Sequence, residues 1–475
     1  MYAFLSALPP AWHTTPMAAL ATLFEAIRSR RLKNTNMGCL WPDLNLPDTI
    51  LNDKELVDAA QACTPMLAQL DATAQLHCEL RLPPSVHISK QVVSFSELQC
   101  AVSYWSQQLA SLTVTRTNDQ RSIQLVCDAL RSLPALRRLV VLWHPAAQPK
   151  ETLTLLDALD FSNVTELRLH YNLANPVQWT ATEVKALVRW LQAKPVTSIS
   201  LVDVSIKAAD AETLARALLQ SQTLKSLHVD GGQLQRTLFN LGLPLPNQLE
   251  SLNTYVRHVD DVLGLTQTIA GSNLCELELG TRVPFETAVA MNLMHAITSL
   301  PRLRHLSMVH TALPLPSVVR LSERLPSLTR LRLYNTQLDD YGIFVLASAL
   351  PKCRHLETLQ IGSQKCSHVA WAHLARGLAQ CRPLKQLSLR DSDIGSRGFI
   401  ALLPVLRNLD NVKLIQCDIS DDGALALCHV MDAADGLFEL TLHGNPFSKG
   451  AVNHIVRAVL KRLPRWGKIG LTVER

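Results

Sequence analysis

His228 stands two residues before Asp230, and His305 and His310 flank one short apolar stretch. Such pairs have the chemistry to share a proton or to hold a divalent metal. Eleven cysteines add thiols, which become nucleophiles or metal ligands once deprotonated. None of these groups has the spacing that either use requires. The sixteen histidines are dispersed, no two cysteines form a CxxC pair, and no HExxH, GxSxG or glycine-rich phosphate loop occurs. The sequence therefore predicts no catalytic residue, no metal site and no cofactor. The remaining chemistry is non-covalent recognition. Arginine, tyrosine and tryptophan dominate protein interfaces, and a set of them recurs at related positions: Trp143, Arg168, Tyr171, Tyr255, Arg330, Arg332, Tyr334, Arg390 and Lys413.

What places those residues in register is a repeat. The stretch LTRLRLYNTQLDDYGIFVLASAL (328–350) begins with strand-like alternation and ends with apolar residues at helical spacing. Its leucines at 328, 331, 333 and 338 define LxxLxLxxxxL. The pattern returns at starts 109, 136, 164, 196, 224, 249, 274, 303, 356, 384, 409 and 437, with a truncated unit from Trp466. Successive starts lie 25 to 32 residues apart, most often 28. A period of that length signals a solenoid of strand–helix units. Positions four and six of each unit alternate into a core. From the eleventh position, apolar residues return eight and twelve residues on: Leu346 and Leu350 after Leu338, Leu374 and Leu378 after Cys366, Leu402 and Leu406 after Ile394. A spacing of four keeps both on one helix face.

This pattern resembles the ribonuclease-inhibitor-like class of leucine-rich repeats from about Leu109 to Arg475. The likeness rests on the unit length, on a polar or small ninth position (Asn172, Thr311, Thr336, Ser392, Cys417, Asn445) and on the following GxxxL helix at Gly342, Gly398, Gly423 and Gly450. It implies an α/β horseshoe: a curved parallel inner sheet, outer helices, and a concave face built from positions three, five and seven. The apolar Val140, Leu142 and Trp143, then Arg168, His170 and Tyr171, then Tyr255, line that face. An acidic step at Glu276 and Glu278 follows, then the basic group from Arg330 to Lys413. No acidic residue at those positions of the basic units offsets the cations, with Asp391 the nearest carboxylate. Two departures are expected. Pro244 and Pro246 deny one unit a full helix, and Pro404 shortens or kinks another. Ahead of the array, HCELRLPPSVHIS carries Leu80 and Leu82 at strand spacing, and 94–109 reads as a helix closing that end.

Residues 1–50 do not repeat. TPMAALATLFEAIRSRRL reads as an amphipathic helix, and Leu40, Trp41, Leu44 and Leu46 resemble the tail of an F-box, whose first helices would then fall before Met1. The expected organisation is a helical cap or F-box-like remnant at 1–50, an irregular capping region at 51–108 and the array at 109–475. Net charge is +6, with no basic run beyond Arg28 to Lys33, so nucleic acid is not an expected partner. No apolar run reaches membrane-spanning length, and no secretory leader pattern opens the chain. Scattered odd cysteines suit reduced thiols in cytoplasm or nucleus. The function expected is non-catalytic protein recognition on the concave face. The F-box resemblance adds a cullin-type ubiquitin ligase adaptor as a second partner. A scaffold, effector or enzyme-inhibitor module is the alternative.

Overall fold

The computed structural model describes residues 85–88, 110–117, 120–143, 149–171, 177–230, 232–281, 283, 286–406, 408–431, 439–460 and 470–472. The chain forms two compact units, 1–238 and 239–475. The first holds strands β1 (Ser85–Ile88), β2 (Ser111–Thr117), β3 (Arg138–Trp143), β4 (Glu166–His170), β6 (Ser198–Val202) and β8 (Ser226–Asp230), paired in parallel in that order. Two short strands, β5 (Val177–Trp179) and β7 (Val204–Ile206), pair separately.

In the second unit, nine strands follow one another in chain order. They are β9 (Ser251–Val256), β10 (Glu276–Thr281), β11 (His305–Val309), β12 (Arg330–Tyr334), β13 (Thr358–Gly362), β14 (Gln386–Arg390), β15 (Asn411–Ile415), β16 (Glu439–Thr441) and β17 (Gly470–Thr472). All pair in parallel. A helix follows each strand from β9 to β16. Parallel neighbours need such a crossover, and its regular return makes the chain an α/β leucine-rich repeat solenoid.

Burial follows the repeat. Leu331, Leu333, Leu359, Ile361, Leu387, Leu389, Val412 and Leu414, at positions four and six, are buried, and so are the helix residues Leu346, Leu374, Leu402 and Ile455. Burying one such side chain contributes about 1.5–3 kcal/mol. The core lies between ladder and helices, and the alternate strand positions face the other way. At position eight the chain leaves the strand through a left-handed residue: Asp203, His310, Asn335, Ser363, Asp391, Gln416 and Gly444 all have φ between 49° and 71°. Six of these seven are not glycine, and each bears a conformational cost that neighbouring contacts must offset.

Position nine then turns inward. Thr311, Thr336, Gln364, Ser392, Cys417 and Asn445 are all buried. Their side chains satisfy the backbone that the turn leaves unpaired. Asn445 Oδ1 accepts from the amides of Cys417 (3.0 Å) and Ile419 (3.2 Å), and its Nδ2 donates to the carbonyls of Leu414 and Leu442 (both 2.8 Å). Gln364 does the same three units earlier, accepting from Leu338 N and donating to Gly362 O, both at 2.8 Å.

Helix starts behave as the sequence implies. Asp339 caps helix Asp340–Ala349 by accepting from Gly342 N at 2.8 Å. Asp340 and Asp421 reach into the following unit, where they accept from the amides of Ser367 (2.7 Å) and Ser448 (2.8 Å). The hydroxyl and amide of those serines hold both carboxyls below their usual pKa. Close packing explains three of the four helix-start glycines. A Cβ on Gly423 would stand 2.5 Å from Ile419 Cγ2, and on Gly398 3.0 Å from Ile394 Cγ2. Gly342 would meet Leu338 at 3.1 Å, whereas Gly450 has ordinary room.

The structure changes one expectation of the fold, the shortened helix at Pro404. The strand ahead of the array is Ser85–Ile88, beyond the double proline, while Leu80, Leu82 and 94–109 lie outside the described residues. Pro404 does not shorten its helix, which runs twelve residues from Gly395 to Leu406. The proline falls in the last turn, where it forfeits only the bond to the carbonyl of Ile400, an exposed residue with water at hand. Pro244 and Pro246 act as foreseen: the helix before them, Gly232–Asn240, has nine residues and an irregular segment follows. The F-box-like residues Leu40, Trp41, Leu44 and Leu46 lie outside the described residues.

Candidate functional site

In the second unit, positions three and five of β10 to β15 form the open face of the ladder. Two adjoining depressions are sunk into it. One, of about 210 Å³, lies among Glu276, Glu278, His305, Ser307, Arg330, Arg332, Thr358 and Gln360. The other, of about 180 Å³, lies among Arg332, Tyr334, Gln360, Gly362, Ser388, Arg390 and Lys413. Arg332 and Gln360 line both. The structure thus brings together five predicted residues, Arg330, Arg332, Tyr334, Arg390 and Lys413. Neutral Gln360 and Ser388 form the floor between the cations.

Register explains the geometry. Arg332, Gln360, Ser388 and Lys413 are consecutive cross-strand partners at position five. Neighbouring strands lie about 4.8 Å apart, so Arg332 and Lys413 originate three strands, or about 14 Å, from each other. Their long side chains close part of that gap over the floor.

Tyr334 is fixed by two features. Its register partner is Gly362, and a Cβ there would stand 2.5 Å from Cδ2 of the ring. Glycine provides the shelf on which the ring lies. The hydroxyl then donates to Asp391 Oδ2 at 2.7 Å, and that bond raises the tyrosine pKa, with burial and the aspartate charge adding to it. The left-handed backbone at Asp391 aims its carboxylate back over the strand ends.

Tyr255 repeats the arrangement, its ring across Gly280, the register partner on β10. Between the two tyrosines stands His310, 6.4 Å from the Tyr255 ring and 5.8 Å from the Tyr334 ring, with Nδ1 2.7 Å from Asn335 Nδ2. The three rings form an aromatic row, and its Tyr334 end lines the smaller depression.

The cations are more offset than their own units suggest. Arg332 Nη1 reaches Glu278 Oε1, two strands away, at 3.5 Å, and Arg390 Nε lies 3.8 Å from Asp391 Oδ2. Both pairs are long and solvent-exposed, so each contributes under about 1 kcal/mol. Glu278 also accepts from Asn253 Nδ2 at 3.0 Å. Side-chain reach along the ladder sets the Arg332–Glu278 pair, whereas Arg390 and Asp391 are neighbours in sequence.

The first unit treats its candidates differently. Tyr171 is not on the open face. It is buried, with its hydroxyl 3.0 Å from Thr152 Oγ1 and accepting from Trp179 Nε1 at 3.4 Å, and burial drives its pKa upward. The turn after β4 sends position eight inward here, where the apolar ring gains more than it would in water. Arg168 lies on the open face of β4, its pKa lowered by burial and by Arg138. Trp143 ends β3, and its side chain lies outside the described residues.

His228 is not an isolated solvated residue. Its Nδ1 lies 2.8 Å from Ser200 Oγ, which lies 2.9 Å from His170 Nε2. Burial, then the Arg168 charge, lowers both histidine pKa values to about 4, which keeps the rings neutral. Among the described residues, no group of three or more metal-binding side chains is assembled. No described helix is long and apolar enough to cross a membrane. Gln360, Ser388, Ser307 and the two shelf glycines escaped sequence reasoning. The available signal was a glycine at position seven one unit after each tyrosine at position seven.

Against known proteins, residues 380–403 match the model of a leucine-rich repeat. The chain is 27% identical over 208 residues to a ribonuclease inhibitor from Sus scrofa, covering 41% of this chain and 45% of that protein. It is 28% identical over 153 residues to the ribonuclease inhibitor of Mus musculus, covering 31% and 33%. The matches therefore span less than half the length of these relatives. Among solved structures, an internalin from Listeria monocytogenes aligns with 86% of this chain and 94% of its own, at 13% identity and a TM-score of 0.34. The Rad7 and Elc1 complex of yeast aligns with 91% and 94%, at 13% identity and a TM-score of 0.37. The fold defines the class, a leucine-rich repeat protein. Within that class its sequence is similar to ribonuclease inhibitors.

Proposed function

We propose that this chain is a non-catalytic recognition protein of cytoplasm or nucleus, binding an acidic region of a partner protein on the open face of β12 to β15. One observation carries this reading: Arg332, Arg390 and Lys413 surround a single depression with a neutral floor and a fixed tyrosine at its rim. Converging cations bind anionic side chains and speed encounter with an acidic surface. A tyrosine already held by Asp391 and Gly362 loses little freedom on binding. Enzyme inhibition is one form such recognition takes, as the name of the ribonuclease inhibitors states for those relatives.

The test is the triple variant Arg330→Ala, Arg332→Ala, Arg390→Glu in proximity labelling from cells. Its thermal stability should stay within about 1 kcal/mol of wild type, since only solvated ion pairs are removed. Partners recovered by wild type should be depleted. An unchanged partner set with an intact fold would refute the assignment of this face.

The finer reading, a substrate receptor of a cullin-type ubiquitin ligase, is supported by the Leu40, Trp41, Leu44 and Leu46 segment alone. Pull-down with purified cullin adaptor should capture wild type but not a variant with all four residues changed to alanine. Equal capture of both, or of neither, removes the ligase link and leaves the recognition face standing.

A further inference from the structure

On the open face of β10 to β15, charge keeps one sign along each strand and changes across strands. Glu276 and Glu278 share β10, and Arg330 and Arg332 share β12. Further on, Arg390 and Lys413 continue the basic sign on β14 and β15. A ligand running parallel to a strand would meet one sign only. A ligand crossing the strands meets acid, then base, then base.

Between the acidic and basic strands lies β11, whose Ser307 Oγ is buried without a hydrogen-bond partner. An unsatisfied buried hydroxyl costs about 1–3 kcal/mol, and here it lines the larger depression. The Arg332–Glu278 contact spans this strand at 3.5 Å and is exposed, so incoming charges exchange for it at little cost.

We infer that the partner contributes an extended segment crossing β10 to β15, with one basic side chain over the glutamates and two acidic side chains over the basic strands. This deepens the recognition reading and rests on it. Strand spacing sets the ligand spacing. From β10 to β12 is two strands, about 10 Å, and from β12 to between β14 and β15 is about 12 Å. An extended chain advances about 3.3 Å per residue. Side chains of an extended chain also alternate between faces, so those over the ladder lie an even number of residues apart. The charges therefore sit about four and then four residues apart, as in Lys-x-x-x-Glu-x-x-x-Glu or its reversal, with the long basic side chain taking up the excess over the first span.

The experiment is selection of a displayed random twelve-residue peptide library on the full chain, followed by anisotropy with the selected peptides. Selected peptides should carry the basic residue outermost and the two acidic residues at those intervals. Moving the basic residue to the centre, as in Glu-x-x-x-Lys-x-x-x-Glu, breaks the order in either direction and should weaken binding about tenfold. The double variant Glu276→Lys, Glu278→Lys should select peptides acidic at all three places, with both spacings unchanged. If selected peptides need Arg390 and Lys413 but show no charge order, the crossing segment is wrong and acidic recognition survives. If no peptide is selected that depends on Arg390 and Lys413, both readings fall.

Discussion

Asn445→Leu should lower the stability of the second unit by about 3–5 kcal/mol, although leucine is close in size and the site is buried. The expectation comes from what the amide holds. Two backbone amides, Cys417 and Ile419, and two carbonyls, Leu414 and Leu442, all depend on this one side chain. Leucine would strand all four where water has little access, because Cys417 and Ile419 are fully buried. Each stranded donor costs about 1–3 kcal/mol, and carbonyls somewhat less. In a unit of this size each kcal/mol lowers Tm by about 2–4 °C. A melting shift of about 10 °C is therefore expected by calorimetry. Asn445→Asp separates the two halves of the network: it retains the acceptor and loses the donor, so it should fall between wild type and Asn445→Leu. A leucine variant melting within 2 °C of wild type would mean that the ninth position fills space and no more.

That ladder shows how far the sequence could be read. Period, strand positions and helix spacing are set by apolar residues, and apolar periodicity is visible in one dimension. Leu346, Leu374 and Leu402 lie in the core as the spacing requires. The polar ninth position was visible too, but its hydrogen bonds were not, since they depend on a left-handed turn at position eight. Asp, His, Asn and Gly at that position tolerate a left-handed backbone, but Ser363 and Gln416 carry no such signal, so the conformation was not announced in every unit. The site was legible in part for the same reason. Positions three, five and seven follow from alternation, which placed Arg330, Arg332, Tyr334, Arg390 and Lys413 together. Long side chains cross strands, so Glu278 as the partner of Arg332 could not be seen among neighbours in sequence. Tyr171 failed because position eight is not bound by alternation: after β4 it turns into the core, whereas Asp391 turns toward the open face.

Leu389→Asp and Ser388→Asp should have opposite consequences, though the residues are adjacent. Leu389 is fully buried and lies in register between Ile361 and Leu414, both themselves core residues. An aspartate there loses about 2–3 kcal/mol of apolar burial. It also carries a carboxyl into a site with no partner, at a further cost of about 2–4 kcal/mol even after protonation. The second unit should lose about 4–7 kcal/mol, with a midpoint that falls further as pH rises. The sign follows from the raised pKa of a buried carboxyl: the unfolded chain releases its proton at ordinary carboxylate pH, the folded chain only well above it, so unfolding gains from every unit of pH between the two. Ser388 points the other way, onto the floor between Arg332, Arg390 and Lys413. A carboxylate there meets opposite charge and water, so stability should stay within about 0.5 kcal/mol of wild type. Binding should not survive, because the new carboxylate occupies the place meant for the partner's. Urea denaturation read beside peptide binding distinguishes the two variants: Leu389→Asp should move the first measurement and Ser388→Asp the second. If Ser388→Asp unfolds the unit while Leu389→Asp does not, the register of β14 is off by one residue, and the side chains of β14 assigned to the open face belong to the core.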